Sequence, residues 1–257
     1  MQNWYEVHVK PYCIGKEGFE KRIRAAFKHA VDDGITALSM SFGIGDSVFY
    51  DNDIHDYITA IETIRQEIAP SISFLPEISF MRTENIKPIE EQFEKILEFD
   101  YFKSIDLFGD DKQSVDNFKS IYRRAKEHGY ILKAHVGEFG DAELVRRAVD
   151  VLELDQVQHG INAVQSKSVM KWLEQNQIQL NVCPSSNIML QRAESYKSHP
   201  IAELFYSGIP VTINSDDMII FDQSVSQDYL NLYNHGNLSA EDLNKIREIG
   251  LKGCCDY

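Results

Sequence analysis

The chain has 257 residues, 43% hydrophobic and 26% charged, with a formal net charge of −14. This length suits one α/β barrel domain of about 250 residues; the composition excludes a disordered chain, and the acidic excess would repel a nucleic-acid backbone or an anionic membrane surface. The four cysteines, Cys13, Cys183, Cys254 and Cys255, have no C-x-x-C spacing, which suits reduced thiols rather than a zinc finger or a disulfide-stapled secreted domain.

There is no basic, apolar, small-residue leader pattern at the N-terminus and no apolar run near eighteen residues, so a soluble, cytoplasmic protein is expected. In chain order, Trp4, Val7 and His8 fit the last turns of a helix stopped by Pro11, although Glu6 to Val9 also fits a short strand. A helix from Gly18 buries Phe19, Ile23, Ala26, Phe27 and Ala30 and ends at Asp32-Asp33-Gly34. Strand Ile35 to Phe42 follows, then a Gly- and Asp-rich loop, helix Ile54 to Ile68 and strand Ile72 to Phe80. Next come helix Ile89 to Phe99, strand Lys103 to Phe108, helix Ser114 to His128 and strand Tyr130 to His135. Helix Asp141 to Leu152, with Asp141 as its cap, leads to a short strand ending at His159. Helix Ser166 to Asn176 precedes strand Gln179 to Cys183; helix Pro200 to Tyr206 precedes strand Pro210 to Asn214. Helices Gln223 to Tyr233 and Ser239 to Ile249 close the chain, the second opened by Ser239 with Asp242 three residues on.

About seven strands alternate with helices without a linker or repeat, which predicts a single domain, 1–257, with a parallel sheet. A closed (β/α)8 barrel of the TIM type needs one strand more. An open doubly wound sheet is the alternative, but the G-x-G-x-x-G turn that usually follows its first strand is absent.

The polar motifs fall at strand ends: Gly109 in Asp106-Leu107-Phe108-Gly109-Asp110, His135-Val136-Gly137-Glu138, Gln158-His159-Gly160, Cys183-Pro184-Ser185-Ser186-Asn187 and Asn214-Ser215-Asp216-Asp217. A histidine and a carboxylate three residues apart at a strand end can hold a metal and move a proton beside it. Asp216 and Asp217 are adjacent, so on an extended backbone they point in opposite directions, one toward a metal and one toward substrate. The order and spacing of these motifs resemble the adenosine deaminase family of metal-dependent amidohydrolases over roughly Gly18 to Gly250.

The resemblance implies a TIM-type barrel that hydrolytically deaminates adenosine or a related aminopurine, using one zinc ion. It implies His135 and Asp216 as metal ligands and Glu138 as the proton shuttle, a role that needs a carboxyl pKa raised by partial burial. His159 is then the histidine that orients the attacking water, while Gly109 and Asp217 meet the purine. Cys183 to Asn187 is expected to be a loop shaping the pocket wall.

The family's first strand carries an H-x-H pair that has no match here, and the segment around His8 is too close to the next strand to supply it. A barrel lacking its first strand is therefore expected, with metal held weakly by two ligands where catalytic zinc sites use three or more. Two open sheet edges would favour a homo-oligomer. The alternative reading is an impaired family member that binds purines or a protein partner without turnover.

Overall fold

The structure is a computed structural model, and it describes residues 7–255. Seven strands, β1 (Ala37–Gly43), β2 (Ser73–Met81), β3 (Ser104–Phe108), β4 (Ile131–Val136), β5 (Gln156–His159), β6 (Gln179–Val182) and β7 (Val211–Ile213), form one sheet in sequence order. Every neighbouring pair is parallel. Parallel neighbours need a crossover, and crossovers of one hand in strict order curl the sheet towards a barrel. Among the described residues the ring stops one strand short: β1 and β7 are its two edges, and the C-terminal helix contacts both.

From Lys10 on, the α-helices are α1 (Lys10–Cys13), α2 (Gly15–Asp32), α3 (Ile54–Ile68), α4 (Ile86–Leu97), α5 (Lys119–Glu127), α6 (Ala142–Leu152), α7 (Lys167–Gln175), α8 (Pro184–Met189), α9 (Ile201–Tyr206), α10 (Met218–Phe221), α11 (Val225–Asn234) and α12 (Ala240–Cys255). Side chains at the N-caps of α3, α4, α6, α7 and α11, namely Asp53, Asn85, Asp141, Ser166 and Ser224, each accept a hydrogen bond from a backbone N–H in the first turn, which satisfies a donor the helix cannot use. Apolar faces such as Phe19, Ile23, Phe27 and Ala30 of α2 and Ile54, Tyr57, Ile61 and Ile64 of α3 are buried in one continuous core with the strands.

Several expectations are corrected. Pro11 lies in the first turn of α1 and does not stop a helix, because proline's missing N–H costs nothing there; of the expected N-terminal helix, Met1 to Glu6 lie outside the described residues. The strand alternative for that segment fails at Val7 and His8, which are helical. The helix expected from Ser114 starts as a 3-10 turn, Asp116–Phe118, and becomes α-helical at Lys119. Ser114 Oγ donates to Asp116 Oδ2 at 2.6 Å and accepts from Asp116 N at 3.2 Å, a local pairing that competes with a regular helix start. The expected loop after Cys183 is helix α8.

The sheet's inner face is polar. Lys133 of β4 reaches across to Glu77 Oε2 on β2 at 2.8 Å and Ser39 Oγ on β1 at 3.1 Å, and Ser104 Oγ donates to the same Glu77 oxygen at 2.8 Å. On the other side Asn181 accepts from Gln179 and Thr212 and donates to Gln156. Lys133 and Glu77 are each about 95% buried or more, and the pair is tolerable there because each charge meets the other and a hydroxyl.

Candidate active site

Strand alternation carries Lys133's inward direction two residues on to His135, at the mouth formed by the C-terminal strand ends. His135 is half-buried, with Nδ1 2.9 Å from Asp106 Oδ2 on β3. Arg82 donates to its backbone oxygen. Burial alone would lower the imidazole pKa, but the carboxylates of Asp106, Asp216 and Glu138 outweigh it and push it up to about 9. A metal taking this ring must therefore displace a proton.

The chain then turns sharply. Gly137 has φ +76, and a Cβ there would lie 2.3 Å from Val145 Cγ2 and 3.2 Å from the Gly160 Cα, so glycine lets the ends of β4 and β5 touch. The next three residues are clamped from two sides. A single oxygen of buried Asp111, Oδ2, accepts the backbone N–H groups of Glu138, Phe139 and Gly140 at 3.0, 3.0 and 3.1 Å. Asn162 Nδ2 donates to the carbonyls of Glu138 and Gly140 at 3.1 and 2.8 Å.

This clamp presents the Glu138 carboxyl, which is buried and raised in pKa, first by that burial and also by Asp216, against the opposing pull of His159 and His135. Glu138 Oε1 accepts from Asn187 Nδ2 at 3.2 Å and lies 3.7 Å from His159 Nδ1. His159 is 2% exposed; its Nδ1 lies 3.3 Å from the same Asn187 nitrogen, and its Nε2 4.0 Å from Asp216 Oδ2. The rings of His135 and His159 are 5.2 Å apart.

Asp216 Oδ2 accepts from Ser186 Oγ at 2.6 Å, and its Oδ1 accepts from Asp217 N at 2.9 Å. The backbone at Asp216 is left-handed, φ +57, rather than extended, so the simple opposed-direction argument for Asp216 and Asp217 does not hold. His159, φ +65, shares that costly conformation, and strained non-glycine residues cluster at functional sites. Asp217 is exposed at the rim; packing around its carboxyl, then the Asp216 charge, raise its pKa. Gly109, φ +108, ends β3 against Arg82.

The structure thus brings His135, Glu138, His159 and Asp216 together and leaves Asp217 and Gly109 at the edge. Sequence reasoning missed Asp106, Asp111, Asn162, Ser186 and Asn187. Asp106, Ser186 and Asn187 lie inside strand-end motifs and Asp111 and Asn162 just beyond two of them, but their roles rest on partners far away in the chain.

A curled parallel sheet with histidines and carboxylates at its C-terminal strand ends defines an amidohydrolase-type barrel. The family model for adenosine deaminase matches residues 78–255, and the chain belongs to the adenosine deaminase family of the amidohydrolase superfamily. A Treponema pallidum protein provisionally named an adenosine/adenine deaminase is 27% identical over 93% of this chain and 82% of its own length. The adenine deaminase of Psychrobacter cryohalolentis is 34% identical over 60% of this chain, and the adenosine deaminase of Plasmodium vivax 33% over 56%. These two matches span 48% and 40% of the relatives' lengths. Among solved structures, the adenine deaminase of Arthrobacter aurescens superposes with a TM-score of 0.82 at 23% identity, over 95% of this chain and 77% of that one. An amidohydrolase from Burkholderia ambifaria with bound zinc gives 0.79 at 20%, over 92% and 68%. These likenesses establish the fold. Among the described residues no helix is long and apolar enough to cross a membrane.

Proposed function

We propose that the chain hydrolytically deaminates an adenosine-like aminopurine with the help of one divalent metal ion. The observation that carries this reading is the meeting of Glu138, His159 and Asp216 around Asn187 and Ser186. The donor set suits zinc: imidazole and carboxylate groups face one another at the mouth, and His159, Cys183 and Asp216 hold ligand atoms within 4.8 Å of one another. His135 and Asp216 are the ligands the family pattern supplies. When bound, such an ion acts as a Lewis acid and lowers the pKa of water at the site.

The protein's own groups do the rest. Glu138, with its raised pKa, takes a proton from the attacking water and passes it to a purine ring nitrogen. His159, held at Nδ1 by Asn187, orients the water through Nε2. Asp217 and the Gly109 amide hold the base. The C6–O bond forms, the C6–N bond breaks, and ammonia leaves with the transferred protons. The intact proton-handling set favours this reading over purine binding without turnover.

Relatives do not share one substrate: the solved neighbours include an N6-methyl-AMP deaminase from Arabidopsis thaliana and Arabidopsis complexes with IMP and GMP. The test is ammonia release from zinc-supplemented protein with adenine, adenosine, AMP and N6-methyl-AMP. Turnover of one of them supports the proposal; metal bound with no turnover of any overturns it.

A further inference from the structure

We infer that Asp228 is a positioning residue for the proton-handling set: it holds the start of α8 and thereby sets Asn187 against Glu138 and His159. The kinetic consequence rests on the deaminase reading, whereas the placement rests on the structure alone.

Helix α8 has no cap of its own. Pro184 has no N–H, and Cys183 at the N-cap makes no side-chain hydrogen bond to the helix. Ser185, 3% exposed, still carries one of the first-turn N–H groups that no helix can satisfy internally. Its acceptor comes from 43 residues away: Asp228 Oδ1, on α11, takes the Ser185 N–H at 3.1 Å and also accepts from Ser185 Oγ. Since the Ser185 hydroxyl proton goes to Asp228, Tyr196 donates its own to Ser185 Oγ, 2.7 Å away. Asp228 is fully buried, and burial raises its pKa to about 6 against the pull of the two Ser185 bonds. A carboxylate that accepts from a backbone N–H at a helix start makes a charge-assisted bond, roughly twice as strong as a neutral one.

The next two residues of α8 carry the contacts that matter to the chemistry. Ser186 Oγ donates to Asp216 Oδ2 at 2.6 Å; Asn187 Nδ2 donates to Glu138 Oε1 at 3.2 Å and lies 3.3 Å from His159 Nδ1. Sliding the first turn of α8 by about 1 Å takes the Asn187 pair out of hydrogen-bond range, and a misplacement of that size costs about 100-fold in a rate. Asp217 and Gly109, which hold the base, lie outside this chain of contacts, so the loss falls on kcat and not on KM.

The test compares the full chain with its Asp228→Ala, Asp228→Asn and Leu232→Ala variants, all supplemented with zinc, on the substrate that the parent turns over. Leu232, fully buried on the same helix, controls for lost stability. Asp228→Ala should lower kcat about tenfold or more with KM within about twofold. Asp228→Asn, which keeps an oxygen acceptor in place, should bring kcat back to within about threefold of the parent, and Leu232→Ala should leave kcat unchanged below its unfolding transition. NMR of nitrogen-labelled protein should show the Asn187 side-chain amide and the His159 ring nitrogens shifted in Asp228→Ala and not in Leu232→Ala. Parent kcat in a folded Asp228→Ala, an equal loss in Leu232→Ala, or unmoved Asn187 and His159 signals overturns the inference. Should Asp228→Ala not fold, Tyr196→Phe decides: removing that half-buried hydroxyl should move the same signals and lower kcat about threefold, and signals that stay in place overturn the inference. A parent that deaminates nothing sinks the deaminase proposal alone, and the NMR comparison then decides the placement.

Discussion

Replacing Asp111 should cost more stability than any surface position in the mouth. One of its oxygens accepts three consecutive N–H groups at 3.0–3.1 Å, and the residue is 2% exposed. Asp111→Ala leaves those donors buried without an acceptor, at about 1–3 kcal/mol each, partly offset because the desolvated charge also disappears. We expect a net loss of about 3 kcal/mol or more, a large share of a typical 5–15 kcal/mol total. Asp111→Asn keeps an acceptor without the charge and should fall between. Urea unfolding gives the free energies, and amide hydrogen exchange gives the location: Glu138, Phe139 and Gly140 should exchange much faster in Asp111→Ala. A variant within about 1 kcal/mol of the parent, with those three amides still protected, would show that the clamp does not hold the loop.

Glu138→Gln should keep bound metal and lose about two or more orders of magnitude in turnover of whichever aminopurine is accepted; near-normal rates would remove Glu138 from the proton path. His199 is 2% exposed, and burial pushes its pKa down to about 4 from the ordinary 6.5. Its contribution is therefore complete above about pH 6.5 and lost as pH falls towards 4, worth about 3 kcal/mol, so unfolding at about pH 7 and 4 should show a smaller acid loss in His199→Gln than in the parent. Sedimentation with hydrogen exchange tests the sheet edges: exchange in β1 and β7 should be faster than in β4 in a monomer and slow down in any dimer that pairs them.

The regular elements were legible because their causes are local. Helix α3 falls where it was expected, Ile54 to Ile68, since Asp53 caps it and its apolar residues recur on one face. Strand ends moved by one or two residues, as β1 did to Ala37–Gly43, because pairing with the neighbouring strand sets them. Helix α8 was missed because Pro184 to Asn187 are buried on all sides, leaving no apolar stripe to mark a helix. The metal and proton-handling candidates were visible as motifs, whereas Asp111 and Asn187 act on Glu138 from 27 and 49 residues away. Nothing in their local sequence distinguishes such residues from solvated polar side chains.

The missing strand has a different physical consequence from the one the sequence suggests. Ile35 to Met40 reads as an apolar segment whose exposure in an open barrel would drive association. In the structure Leu38 and Met40 pack against the core, while Ser39 and Ser41 are exposed. Ser39 faces inward, since its hydroxyl meets Lys133 from β4, and Ser41 follows it by strand alternation. The face bared by the gap is thus polar, continuous with the Glu77–Lys133 pair and the Gln156–Asn181–Thr212 ladder. Water entering the gap meets groups that can bond it, and little hydrophobic free energy is gained by covering them. Among the described residues no strand pairs with the outer edge of β1 or of β7. A strand that completes the ring would be held by main-chain hydrogen bonds and would have to present small polar side chains inward, so selectivity for such a strand comes from the polar lining and not from apolar area.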